Sequence, residues 1–203
     1  MLTRRIVLGT RNRKKRRELE SLLAPLGVDL HTLDEFEHAV EVDETGSTFA
    51  ENAQLKAVEQ ARALGEWVLG EDSGICVDAL DGAPGIHSAR FSGQDATDAA
   101  NNALLLQRLA DLPLPERSAH YVCHMALADP QGTIRLRSEA LCRGRIVERE
   151  RGDGGFGYDP LFEIVEYHRT FAELGERVKS LISHRARAMR QLVRRLRSTG
   201  KHS

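Results

Sequence analysis

Two pairs of adjacent carboxylates, Asp43-Glu44 and Glu71-Asp72, stand in separate segments of this chain. Carboxylates arriving from two segments suit Mg²⁺, which takes hard oxygen ligands and keeps several waters. A water held by such an ion beside Asp72 is a nucleophile. Each pair taken alone reads more simply as a turn or a solvated edge, and a neighbouring anion site is what reverses that order. Thr10-Arg11-Asn12-Arg13-Lys14-Lys15 supplies one. It lies where an apolar strand gives way to a helix, and free N–H groups and the helix dipole favour an anion there. Thr10 and Asn12 add neutral donors and Lys15 a point charge. Cations at a helix start oppose the dipole, and a bound anion would offset that conflict. The Gly-Lys-Ser/Thr ending of the common P-loop is missing.

Gly154-Gly155-Phe156-Gly157-Tyr158-Asp159-Pro160 gathers glycines, two aromatic rings and a carboxylate. It reads either as a pocket in which a flat polar ring stacks or as a Gly-rich turn whose aromatics fill the core. Lys179 and Ser183-His184-Arg185 precede a long basic segment. Arg185 offers planar forked donors to a carbonyl or a phosphate, or else belongs to a solvated helix face. His120, Cys123 and His124 fall in an expected strand, where adjacent side chains alternate between faces, which argues against zinc.

The elements that must position these residues follow from pattern. Ile6 to Gly9 is a first strand. Leu19, Leu22, Leu23 and Leu26 recur at helical spacing, with Gly27 as the stop. Val28 to Leu33 is a second strand. Thr48-Phe49-Ala50-Glu51 has the form of a capping box and opens a helix to about Leu64. Trp67–Leu69 is expected as a short strand ending at Glu71-Asp72-Ser73-Gly74, and strand ends of this kind line clefts in α/β sheets. Ile75–Leu80 is expected as a separate strand and Asp98–Leu109 as a helix. Tyr121–Leu127 and Ile134–Ala140 flank Pro130-Gln131-Gly132 as a hairpin. Thr170-Phe171-Ala172-Glu173 repeats the capping-box form. A last helix carries Ile182, Ala186, Met189, Val193 and Leu196 on one stripe. The mixture is α/β.

With 203 residues, 41% of them hydrophobic, the chain is long enough for one domain, 1–203, built as one body or two small lobes. A net charge of -1 provides no global field toward nucleic acid or membrane. No apolar run approaches the ~20 residues of a bilayer span, and the apolar start is too short for a signal peptide. Cys76, Cys123 and Cys142 are few and scattered, which suggests reduced thiols and a cytoplasmic location.

Taken together, these segments resemble the inosine triphosphate pyrophosphatase family, also called the noncanonical purine NTP pyrophosphatase or Ham1-like family. The resemblance runs from Thr10–Lys15 through Glu44-Thr45-Gly46-Ser47-Thr48-Phe49-Ala50-Glu51-Asn52-Ala53 and Asp72-Ser73-Gly74. It continues in Gly82-Ala83-Pro84-Gly85-Ile86-His87-Ser88-Ala89-Arg90, the Gly-rich aromatic loop and Ser183-His184-Arg185. It implies an α/β fold with a mixed sheet and flanking helices, elongated and two-lobed around a central cleft, usually as a homodimer. The implied reaction is Mg²⁺-dependent hydrolysis of ITP, dITP or XTP to the monophosphate and pyrophosphate. By the resemblance Asp72 is the general base and a metal ligand, with Glu44, or its rival Asp43, as the second acidic ligand. Thr10, Asn12, Lys15, Lys56 and Ser73 would hold the polyphosphate, with Arg11, Arg13 and Lys14 in the same loop. Phe156 would stack on the base, and Gly157, Tyr158, Asp159, Lys179, His184 and Arg185 would complete the nucleoside site.

The chain departs from the family pattern at Lys14, where glycine is common, at Glu71 for aspartate, at His87 for tyrosine and at Leu181 for alanine. A Maf-like pyrimidine nucleotide pyrophosphatase would share the chemistry with another base. In other classes stand a non-catalytic nucleotide-binding protein and a basic nucleic-acid module. Asp72 with an acidic partner argues against the former and the near-zero charge against the latter.

Overall fold

The computed structural model describes residues 5–24 and 28–199 of the chain. The helix stop expected at Gly27 lies outside these residues. In chain order the elements are β1 (Arg5–Leu8), α1 (Arg13–Leu23), β2 (Asp29–Thr32), α2 (Phe49–Leu64), β3 (Val68–Val77) and α3 (Asp98–Arg108). There follow β4 (Ser118–Ala128), β5 (Ile134–Ile146), β6 (Phe162–Ile164), β7 (Arg169–Thr170), α4 (Phe171–Ile182) and α5 (His184–Thr199). One seven-stranded sheet runs in the order β2-β1-β3-β4-β5-β6-β7. β1 pairs parallel with β2 and β3, whereas β6 pairs antiparallel with β5 and β7. The fold is therefore α/β with a mixed sheet and flanking helices.

The contacts cluster into two compact units. The first comprises residues up to Asp72, Cys123–Ala140 and the chain from Arg185 on. In this unit β1 is buried on both faces, which is why it reads as the unbroken apolar run Ile6-Val7-Leu8 rather than as an alternation. Ile6 and Leu8 join Leu19 and Leu23 of α1, Cys123, Met125 and Leu127 of β4, and Ala188, Met189 and Leu192 of α5 in one cluster. Val7 joins Ala53, Ala57 and Ala61 of α2 with Ala126 and Ala128 of β4 in another. The second unit, Ser73–Val122 with Leu141–His184, has one cluster. Ile75, Val77, Leu105, Tyr121, Phe162 and Phe171 are among its members.

Both expected capping boxes form, at Thr48 with Glu51 and at Thr170 with Glu173. Two expectations are corrected. Trp67–Leu69 and Ile75–Leu80 are not separate strands; Val68–Val77 is a single β3, and Glu71-Asp72-Ser73-Gly74 lies in its middle. The two carboxylates look like a break in sequence, but cations from α1, α2 and α5 meet their charge and the strand continues through them. The expected last helix also divides. Ile182 ends α4, Ser183 is extended with ψ 159°, and α5 begins at His184. No helix among the described residues is long and apolar enough to cross a membrane.

Candidate active site

In the first unit the site grows from the helix start and the middle of β3. Asn12 is the N-cap of α1, and its Oδ1 accepts from the backbone N–H groups of Lys14 and Lys15 at 3.0 and 3.1 Å. That cap aims Lys15 inward, where its ammonium lies 3.2 Å from Glu71 Oε2. The Arg11 guanidinium instead donates to the Ala39 carbonyl, and Arg13 and Lys14 are exposed.

Helix α2 packs close against β3 because residue 70 is glycine. A Cβ there would stand 2.7 Å from the Ala57 nitrogen and press still closer on the Ala53 carbonyl oxygen. The close approach brings Lys56 to Asp72, with Nζ 3.0 Å from Oδ1. The acidic loop is tied to the same helix. Gly46 N–H donates to the buried Asn52 Oδ1, and Ser47 donates to Glu51 from its N–H and its hydroxyl. Glu44 is thereby held 3.3 Å from Lys56 Nζ. Lys56 thus lies between the carboxylates of Asp72 and Glu44; Glu44 and neighbouring Asp43 are both exposed.

The electrostatics of Asp72 follow from this packing. It is 5% exposed, and burial raises its carboxyl above the ordinary value, with Lys56 and Lys15 pulling the other way. Burial would lower the Lys56 ammonium, but Asp72, Glu44 and Glu71 outweigh it and hold its pKa up. Asp72 Oδ2 is buried without a hydrogen-bond partner.

Arg185 is 2% exposed. Its Nε and Nη2 donate to Glu71 Oε1 at 3.2 and 3.0 Å, and its Nη1 donates to Glu18 Oε2. Glu71 is accordingly ion-paired on two sides, by Lys15 and by Arg185. It faces these cations, not the Lys56–Asp72 pair, because adjacent strand residues point to opposite faces. Sequence reasoning missed Glu18. The available signal was its i+3 spacing from Lys15, which puts a cation and an anion on one face of α1.

In the second unit the Gly-rich loop divides its two rings. Tyr158 is 4% exposed, belongs to the apolar cluster and donates from its hydroxyl to the Ser88 carbonyl at 2.8 Å. Phe156 is only half-buried, and Lys179 Nζ lies 4.3 Å from its ring centroid. The pocket reading thus suits Phe156, and the core reading suits Tyr158. Asp159 Oδ2 accepts from Lys179 Nζ at 2.5 Å and from Phe156 N–H at 2.8 Å. Gly155 makes that turn possible. Its φ is +74°, and a Cβ would lie 2.9 Å from that of Asp159. His184 is 3% exposed and stacks on Tyr121, with centroids 4.6 Å apart and planes inclined by 6°. No sequence signal pointed to Tyr121 as its partner.

The model of the Ham1 family matches residues 6–195. This chain belongs to the Ham1 family. A dITP/XTP pyrophosphatase of Rhodopirellula baltica is 51% identical over 191 residues, covering 94% of this chain and 92% of that protein. A dITP/XTP pyrophosphatase of Exiguobacterium sibiricum is 49% identical over 188 residues, covering 93% and 94%. Among solved structures, a HAM1 protein from Coxiella burnetii superposes with a TM-score of 0.87 at 38% identity, covering 96% of this chain and 98% of that one.

As a Ham1 chain, this one places its departures in distinct settings. Lys14 is exposed on the helix start. Glu71 serves as the buried counter-ion of Arg185 and Lys15. Leu181 is an exposed apolar side chain on α4. The residues that meet in the first unit are Glu18, Lys15, Glu71 and Arg185 on one side of β3, and Lys56, Asp72 and Glu44 on the other. Those that meet in the second are Phe156, Asp159 and Lys179.

Proposed function

We propose that this Ham1 chain hydrolyses the noncanonical purine nucleoside triphosphates ITP, dITP and XTP to the monophosphate and pyrophosphate. The observation that carries the reading is near full-length similarity to proteins named for dITP and XTP pyrophosphatase activity. The geometry supports it with a buried, raised carboxyl beside a lysine, as a general base and a phosphate ligand require.

Asp72 takes the proton of the attacking water. Lys15, Lys56, Thr10, Asn12 and Ser73 hold the polyphosphate, and Arg11, Arg13 and Lys14 add charge at its approach. Phosphoryl transfer depends on such positioning and charge neutralisation more than on covalent help. Phe156 stacks on the base. Gly157 and Asp159 shape its edge with Lys179, while Tyr158 and His184 act from the packed core behind it. Arg185 is held ready by Glu18 and Glu71.

The reading includes Mg²⁺. The residues present fit it, since Asp72 offers an unpartnered buried oxygen and the Lys56 ammonium already lies between the hard oxygens of Asp72 and Glu44. Among the described residues no group of three or more His, Cys, Asp and Glu side chains is arranged to hold a metal. Two carboxylates suffice for Mg²⁺, which fills its remaining positions with water and substrate phosphate. When bound it would neutralise phosphate charge and polarise the phosphoryl oxygens.

Pyrophosphate release from a panel of triphosphates tests the reading. ITP, dITP and XTP are expected to turn over efficiently, and ATP, GTP, dTTP and UTP far more slowly. Preference for dTTP or UTP would move the enzyme to a pyrimidine class, and silence on the whole panel would sink the proposal. We place the enzyme in the cytoplasm, and the family resemblance supports a homodimer. Light scattering from the purified protein is expected to give twice the chain mass, and a single chain mass would overturn the dimer.

A further inference from the structure

The direction of a side chain follows from the peptide planes on either side of its Cα. At Phe156 both planes are held. The plane before it is fixed from within the loop, where Phe156 N–H donates to Asp159 Oδ2 at 2.8 Å. The plane after it is fixed from outside, where Gly157 N–H donates to Asp98 Oδ2 at 2.9 Å. The next carbonyl, that of Gly157, accepts from Asn102 Nδ2 at 3.2 Å, and the same amide donates to Glu150 Oε1 at 2.7 Å. Asp98 and Asn102 are four residues apart on α3, so one helix face grips two consecutive peptides of the loop.

The grip stands on a braced support. Thr97 caps α3 by accepting from Ala100 N–H. Asn101 donates to the Ser88 and Ala89 carbonyls and accepts from Ser92 N–H at 2.8 Å. The loop itself turns through left-handed glycines, with φ +74° at Gly155 and +60° at Gly157. Such a backbone has wide conformational freedom unless its peptide groups are tied down. The side chains of α3 supply that tie on the C-terminal side of Phe156.

We infer that Asp98 and Asn102 are positioning residues that set the Phe156 ring for stacking on the purine and so contribute to base selection; this rests on the base-stacking role proposed above. Neither touches the reacting phosphates. Asp98 also opens α3, where a carboxylate favours the helix dipole. The test must therefore separate orientation of the ring from stability of the helix.

Steady-state hydrolysis of ITP and ATP by the wild type, Asp98→Ala, Asp98→Asn and Asn102→Ala makes that separation, with the melting temperature of each recorded. Loss of a hydrogen bond to a charged acceptor predicts that Asp98→Ala raises KM for ITP roughly ten-fold with kcat near the wild-type value. KM for ATP moves less, so the ratio of kcat/KM for ITP over ATP falls. Asn102→Ala moves the ratio in the same direction. Asp98→Asn keeps an acceptor oxygen and restores most of the ratio. A folded Asp98→Ala with unchanged KM, or with equal losses on both substrates that track its melting temperature, would overturn the inference. Should that variant not fold, Asp98→Glu moves the carboxylate by one methylene, keeps the helix start and gives the same readout. Absence of ITP turnover in the wild type would overturn the functional reading and this inference with it, and it is seen before any variant is compared.

Discussion

Asp72→Asn is expected to fold normally and to hydrolyse ITP about 10²–10⁴-fold more slowly, the cost of losing a general base. The amide has nearly the shape of the carboxyl, and its oxygen still accepts from Lys56, now 3.0 Å away. It cannot take a proton. Measurement of kcat alongside the melting temperature decides the matter, since a folded variant with close to wild-type turnover would make another residue the base. The pH profile carries the same signature. Burial raises the Asp72 carboxyl above the ordinary 3.8. The deprotonated base is lost as pH falls through the folded pKa, so the acid limb of kcat/KM lies higher than for an exposed aspartate. Lys56 is the strongest of the attractions holding that value down. Lys56→Met should therefore move the limb to still higher pH, besides weakening phosphate binding. A limb that does not move would dissociate it from Asp72.

Removal of divalent metal is expected to abolish turnover, and Mg²⁺ to restore it. A triphosphate brings several negative charges to Asp72 and Glu44, and Lys15 and Lys56 are already engaged with carboxylates. Without a further cation the charge of Arg11, Arg13 and Lys14 offsets only part of the repulsion. Undiminished turnover in excess chelator after metal-free preparation would remove Mg²⁺ from the scheme. The two acidic candidates separate in the same assay. Glu44→Gln should raise the Mg²⁺ concentration for half-maximal activity more than Asp43→Asn, because Glu44 alone of the two reaches Lys56. Equal shifts would leave Glu44 without its assigned role.

Local signals carried a large part of the fold. The capping boxes at Thr48 and Thr170 were legible because N-cap and N3 residues are near neighbours in sequence and need no tertiary partner. The run Ile6-Val7-Leu8 and the apolar spacing of α1 declared buried elements for the same reason. The Asp72, Lys15 and Phe156 segments were legible through their order along the chain, which carried the Ham1 resemblance that the family match from residue 6 to residue 195 bears out.

The middle of β3 was misread, because Glu71-Asp72-Ser73-Gly74 has the composition of a turn. Only tertiary structure brings Arg185, 114 positions away, to Glu71, and packs α2 against Gly70 so that Lys56 meets Asp72. The same holds for the division of labour between Phe156 and Tyr158, and for the grip of Asp98 on Gly157, 59 positions away. The sequence by itself determined the capped helix starts at Thr48 and Thr170, the apolar run of β1 and the residues available for chemistry, since those depend on neighbours along the chain. Which carboxylate is buried, which lysine offsets it and which peptide groups are held were decided by the tertiary structure. Burial and charge pairing are properties of the surroundings in space, and the partners come from segments far apart in the chain.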